Sequence, residues 1–257
     1  MTYLVICTVA LLASGLTFFS GFGLGTLLLP AFALFFPIEQ AIAMTAVVHM
    51  LNGLFKFALV GRHADRGVVL RFGVPAILAA FLGAWVLSGL TGMAPLHRYQ
   101  AFGRMLEVEP VKLAVGMLLL LFALVELVPR WRDLSFGPRW MPLGGALSGF
   151  FGGLAGMQGA LRSAFLARAG LSKEAFIASG VTIALLIDFS RLGVYARAMA
   201  GARAQLDYAL LAAAVLSAFA GAWLGNRHLR KVTMPGIQKI VAASLFVVAL
   251  ALGFGVI

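Results

Sequence analysis

The chain has 257 residues, of which 62% are hydrophobic and only 11% charged, and its formal net charge is +11. Apolar runs of membrane-spanning length recur from one end to the other, which excludes a soluble globular domain and marks an all-α, polytopic helical membrane protein. Cys7 is the single cysteine, and His49, His63, His97 and His228 lack metal-ligand spacing, so no disulfide framework, metal site or cofactor is implied.

The first apolar block, about residues 3 to 36, has no basic segment before it and reads as a retained span rather than a cleaved signal peptide. It is too long for one crossing and is punctured by "SGFGLG" (20 to 25), where glycines permit backbone conformations that a helix does not adopt. The second block, 40 to 60, opens on Glu39, a carboxylate placed to favour the helix dipole. His49 near its middle is a candidate proton carrier or a hydrogen-bonded packing residue. Asn52, one turn later, lines the same path or bonds a neighbouring helix, and Lys56 reads as a side chain snorkelling to the interface. After the third block, 69 to 91, the segment "PLHRYQAFGRMLEVEP" (95 to 110) predicts a surface-lying helix, with a gate or partner contact as its functional alternative. The fourth block, 111 to 128, carries Glu126, which forms an interfacial charge cluster with the arginines of the linker "PRWRDLSFGP".

The fifth block, 141 to 167, is punctured by "GGLAGMQGA" (152 to 160), and Arg162 follows a few residues later. A guanidinium left in lipid costs roughly 2.5 to 3.5 kcal/mol on insertion scales, so Arg162 must face protein, water or a ligand. Its fork of donors suits an oxyanion, with Gln158 and Ser163 as neutral donors beside it. The structural alternative is that it caps carbonyls released by the break or pairs with Asp188. In the sixth block, 174 to 195, Glu174 repeats the helix-start pattern, and Asp188 and Arg191 stand three apart on one face as an internal ion pair or a proton relay. Blocks at 207 to 226 and 237 to 257 complete the chain.

An ordered set of matches points to duplication. "AFLGAW" (80 to 85) recurs as "AFAGAW" (218 to 223), and Glu39 with Lys56 repeats as Glu174 with Arg191. The halves run over 1 to 128 and 139 to 257, joined by residues 129 to 138. With four crossings per half the loop cations divide eight against nine; with each punctured block folded as a hairpin they divide twelve against five. The second count obeys the positive-inside rule and predicts two inverted repeats, with both termini periplasmic and the linker cytoplasmic. Glycine pairs such as Gly21 with Gly25, Gly149 with Gly153 and Gly152 with Gly156 also suit close helix packing.

The first break followed by "LLLP", and "GMQGALRSAFLARAGLSKEAFIASGVTIALLIDFSRLGVY" in the second half, resemble the TauE/SafE sulfite exporter family of membrane permeases. The resemblance covers nearly the whole chain. It implies a duplicated helical transporter that carries small sulfur-containing anions, such as sulfite, sulfoacetate or related sulfonates, out of a bacterial cell through the inner membrane. It also implies the breaks as the binding region, with Gly23, Gly25 and Thr26 opposite Gln158, Gly159, Arg162 and Ser163. Many relatives have denser glycines at each break and a proline after the second; here Thr26, Gln158 and Phe165 depart from that pattern, as in a distinct branch.

A secondary transporter is the expected class, with an anion channel or a uniporter for another small oxyanion or carboxylate as the alternative. A membrane enzyme ranks behind both, because Ser163, His49 and Asp188 lie too far apart in the chain to argue that they meet. The expected partners are the anion, the bilayer and protons as coupling ion. Nucleic acid is excluded by the absence of a long basic run, and the oligomeric state is left open.

Overall fold

A computed structural model describes residues 1–16, 23–101, 103–132, 134–198, 207–228 and 235–257. The helices are α1 (Thr2–Leu16), α2 (Leu24–Ala33), α3 (Ile38–Val60), α4 (Arg66–Leu90), α5 (Pro110–Leu127) and the short α6 (Pro129–Arg132). They continue as α7 (Met141–Ala155), α8 (Gly159–Leu166), α9 (Lys173–Ala198), α10 (Tyr208–His228) and α11 (Pro235–Gly253). Four segments are long and apolar enough to cross a membrane, Ile38–His63, Arg66–Leu90, Lys173–Ala196 and Tyr208–Arg227, and shorter apolar helices accompany them. Leu70, Leu78 and Trp85 on α4 and Leu216 on α10 are exposed, as lipid contact requires. The chain is a multi-pass, helical membrane protein.

Both punctured blocks are split into two helices. α7 stops at Gly156, whose φ of 78° is left-handed and favours glycine. Its N–H reaches Gly152 O at 2.8 Å and that of Met157 reaches Phe151 O at 3.4 Å, closing the turn before α8 starts. In the first half α2 starts after Gly23, at φ 118°. Gly21 and the rest of the first break from 17 to 22 lie outside the described residues.

Helix starts follow local chemistry elsewhere. Asp65 accepts from Val68 N at 2.8 Å to cap α4, and Asp207 accepts from Leu210 N at 2.9 Å to cap α10. Glu39 and Glu174 both sit in first turns, the positions expected for helix-start carboxylates.

The expected surface helix at 95 to 110 is instead an antiparallel hairpin, β1 (His97–Ala101) with β2 (Arg104–Val108). The physical reason is in the pairing. Arg98 stands opposite Glu107 with a 3.0 Å ion pair, Tyr99 stands opposite Leu106, and Gly103 supplies a positive φ of 71° at the turn. The hairpin rests on the end of the chain, where Tyr99 Oη donates to Phe254 O at 2.6 Å and Gly255 lies against the Glu107 carbonyl.

Helices pack across the two sequence halves. α1 runs along α10, α7 along α4 and α5 along α11, while α9 contacts both α3 and α4 and α10 contacts α3. The seams are lined by glycine. On α7, Gly145, Gly149 and Gly153 lie against the carbonyls of Phe72, Ala76 and Ala80, with no room for a β-carbon. Gly221, in "AFAGAW", lies against the Leu11 carbonyl of α1, and Gly83, in "AFLGAW", lies against the Phe150 carbonyl of α7. The glycine pairs read as packing devices at Gly149 and Gly153 therefore act as such.

Candidate functional site

The two breaks meet. A β-carbon on Gly25, at the start of α2, would lie 3.2 Å from the carbonyl oxygen of Gly156 and 3.6 Å from His49 Cδ2. Gly156 in turn lies against a guanidinium, since a β-carbon there would sit 2.5 Å from Arg191 Nη1. Only backbone this bare lets the start of α2, the end of α7 and the arginine of α9 approach so closely.

A buried polar network surrounds this contact. His49 Nδ1 on α3 lies 2.5 Å from Asp188 Oδ2 on α9, and Arg191 Nε donates to Asp188 Oδ1 at 3.0 Å. Gln158 Nε2 donates to the same oxygen at 3.3 Å, while Arg162 Nη1 donates to Gln158 Oε1 at 3.2 Å. Gln158 thus bridges the two arginine systems, and this pattern of donors and acceptors sets the orientation of its amide. The backbone of Gln158 is fixed as well, because Ser148 Oγ donates to its carbonyl at 2.9 Å. Tyr195 Oη donates to the carbonyls of Gly153 and Leu154, supplying the last turn of α7 with a partner.

The residues expected to line the two breaks have places here. Gly23, Gly25, Gln158, Gly159 and Arg162 are buried at the breaks, and Ser163 is partly buried on α8. Thr26 Oγ1 donates to Gly23 O at 2.9 Å, so its hydroxyl serves the first break itself. Asn52 bonds a neighbouring helix, its Oδ1 accepting from Ser14 Oγ at 3.0 Å. Phe165 packs with Phe136 at a centroid distance of 4.4 Å and against Gly144.

Two readings change. Lys56 does not snorkel; it is buried, with Nζ 3.5 Å from Ser14 O. Arg191 keeps its expected internal ion pair with Asp188 and is fully buried, pressed against Gly156. His49 and Asp188, 139 residues apart, are in direct contact, which no local pattern in the sequence signals. Arg162 has Gln158 as a hydrogen-bond partner, and Asp188 turns toward His49 and Arg191. Glu126 and Arg132 lie in described helices without described side chains, and Asp133 lies outside the described residues, so the linker charge cluster is not placed. No cluster of histidine, cysteine, aspartate and glutamate able to hold a metal occurs among the described residues.

Ser14, Ser148 and Tyr195 were not singled out in the sequence, although all three fix the site from below. The available signal was weak: a lone serine in each of two apolar helices, and a tyrosine one turn past Arg191.

Apolar helices interrupted at glycines around a buried charge network suit a membrane transporter rather than a soluble binding module. No match is found among curated proteins. The profile of the family described as Sulfite exporter TauE/SafE matches residues 6–252, almost the entire chain, and the protein belongs to that family of membrane transporters.

Proposed function

We propose that the protein is a secondary transporter that exports a small sulfur-containing anion, sulfite, sulfoacetate or a related sulfonate, across the bacterial inner membrane by alternating access. The observation that carries this reading is the contact of the two breaks, Gly25 against Gly156, beside a buried charge set that is cationic in sum. Among the described residues the buried charged side chains are Lys56, Arg162, Arg191 and Asp188. Two arginines stay protonated against one carboxylate, and burying uncompensated charge is costly, so a bound anion completes the balance. The starts of α2 and α8 add free backbone N–H groups of the kind that hold anions at broken membrane helices.

In this reading Gly23, Gly25 and Thr26 form one wall and Gln158, Gly159, Arg162 and Ser163 the other. The two halves, 1 to 128 and 139 to 257, are inverted repeats, which the reciprocal packing of α1 on α10 and α7 on α4 supports. Both termini are periplasmic. His49 and Asp188, joined at 2.5 Å between α3 and α9, are the proton-coupling pair, since an imidazole can take up and release a proton and its partner carries the network's negative charge.

Purified protein in liposomes loaded with sulfite tests the whole reading. A carrier gives efflux that saturates and accelerates when sulfite is added outside, whereas a poorly saturable current marks a channel and sinks alternating access. Flux indifferent to an imposed pH gradient would remove the proton role of His49 and Asp188, and a cytoplasmic terminus in a reporter fusion would remove the topology.

A further inference from the structure

Arg191 is the fully buried arginine of the site, and it is only half used. Its Nε donates to Asp188 Oδ1 at 3.0 Å; Nη2 lies 2.8 Å from the same oxygen without hydrogen-bond alignment, and neither Nη1 nor Nη2 makes a hydrogen bond. A guanidinium is a rigid fork of five donors, so an acceptor lying against Nε and Nη2 leaves one donor on each nitrogen of the neighbouring Nη1–Nη2 edge. The guanidinium lies beside the meeting of the two breaks. Nη1 lies where a β-carbon of Gly156 would intrude, and the Gly156 carbonyl is the group against which Gly25 packs. The Tyr195 hydroxyl also lies beside the guanidinium, where its oxygen offers an acceptor while its proton goes to the Gly153 and Leu154 carbonyls.

We infer that the Nη1–Nη2 edge of Arg191 is the seat of the transported anion, a bidentate clamp for two oxygens of a sulfur oxyanion or sulfonate, walled by Gly25 and Gly156. The inference rests on the transporter reading and narrows it, because Arg162, the arginine adjacent to the break in sequence, has its Nη1 turned to Gln158. Asp188 is then a positioning residue. It fixes the plane of the guanidinium from behind through Nε, and its negative charge moderates the pull on the anion, so that binding is strong enough to load the site and weak enough to release it. His49 holds the far oxygen of that carboxylate, and Gln158 shares the near one. Arg162 contributes positive charge to the same buried region. A two-oxygen clamp also explains selectivity by shape: a halide offers one centre to a site built with two parallel donors.

The test is calorimetric titration of the purified full chain with sulfite, methanesulfonate and chloride. It uses wild type, Arg191→Lys, Arg191→Gln and, as a surface control, Arg98→Gln, each checked for a single melting transition. Arg191→Lys keeps a positive charge beside Asp188 but loses the paired donors, and it is expected to weaken sulfite and methanesulfonate binding by roughly tenfold to a hundredfold. Arg191→Gln is expected to weaken them further, while Arg98→Gln binds as wild type. Binding by both Arg191 variants within threefold of wild type overturns the inference and leaves the transporter reading standing. Absence of saturable binding of either sulfur anion to wild type overturns both. Where the variants do not melt cooperatively, the wild type decides: sulfite must outcompete chloride by at least about a hundredfold, and chloride within threefold of sulfite overturns the clamp.

Discussion

Both breaks lie between two apolar helices and carry a left-handed glycine, Gly23 in the first and Gly156 in the second, yet they are chemically unlike. The described part of the first, Gly23 to Thr26, brings no charge of its own, and the Thr26 hydroxyl is spent on the Gly23 carbonyl. The second brings Gln158 and Arg162 directly and receives Asp188 and Arg191 from α9. The corresponding helix of the first half, α3, supplies His49 and Lys56, and its one carboxylate, Glu39, sits at the helix start. The difference teaches that backbone shape can be shared by two halves while electrostatics are concentrated in one, so a site lying between them is asymmetric. An anion moving past such a site meets backbone on one side and a fixed cationic fork on the other.

The sharpest way to break this contrast is to remove the carboxylate on which the charged side is centred. Asp188→Ala leaves Gln158, Arg191 and His49 without their shared acceptor in a buried place. Removing one partner of a buried pair costs about 3–5 kcal/mol, so the melting midpoint should fall steeply in chemical denaturation of the detergent-solubilised protein. A loss under about 1 kcal/mol would mean that the network is hydrated and that the second break is no more polar in effect than the first.

Arg162→Gln comes next. It keeps a donor beside Gln158 but deletes a buried charge, and a charge-assisted hydrogen bond contributes about 1.5–3 kcal/mol. Sulfite efflux from liposomes at sub-saturating load should drop at least about tenfold with insertion intact. Efflux equal to wild type would take Arg162 out of the anion path. Gly153→Ala follows, addressing the seam that positions the second break rather than its charge. A methyl there overlaps the Ala80 carbonyl, and α4 and α7 must part, at a cost of about 1–3 kcal/mol in the melting free energy. Unchanged melting would show that the seam is loose enough to absorb a methyl.

Much of this frame was legible in the residues. Hydropathy located the long helices, and the glycine clusters located both breaks, because glycine is the residue that tolerates φ of 78° at Gly156 and 118° at Gly23. Asp188 and Arg191 three apart read as a pair and are one. What escaped depends on the third dimension. His49 reaches Asp188 only because α3 crosses α9, and Lys56 is buried because neighbouring helices cover a position that looks interfacial in one dimension. The hairpin at 97 to 108 escaped for a different reason: five-residue strands alternate too briefly to outweigh a mixed apolar and charged composition, and the cross-strand pairing of Arg98 with Glu107 has meaning only once the turn is known.

The smallest effect concerns the uncharged break. Thr26 is the residue that departs from a purely glycine pattern there, and its hydroxyl returns to the Gly23 carbonyl at 2.9 Å, one turn back. That carbonyl also accepts the N–H of Leu27 at 3.0 Å, so it does not lose every partner when the hydroxyl goes. Thr26→Val keeps the branched shape and removes only this bond, for a cost of about 0.5–1.5 kcal/mol in melting. If Thr26 merely completes the first break, sulfite affinity stays within about threefold of wild type while the protein melts slightly earlier. If affinity instead falls as far as it does in Arg162→Gln, the hydroxyl is turning from Gly23 to the anion, and the first break is a polar wall after all.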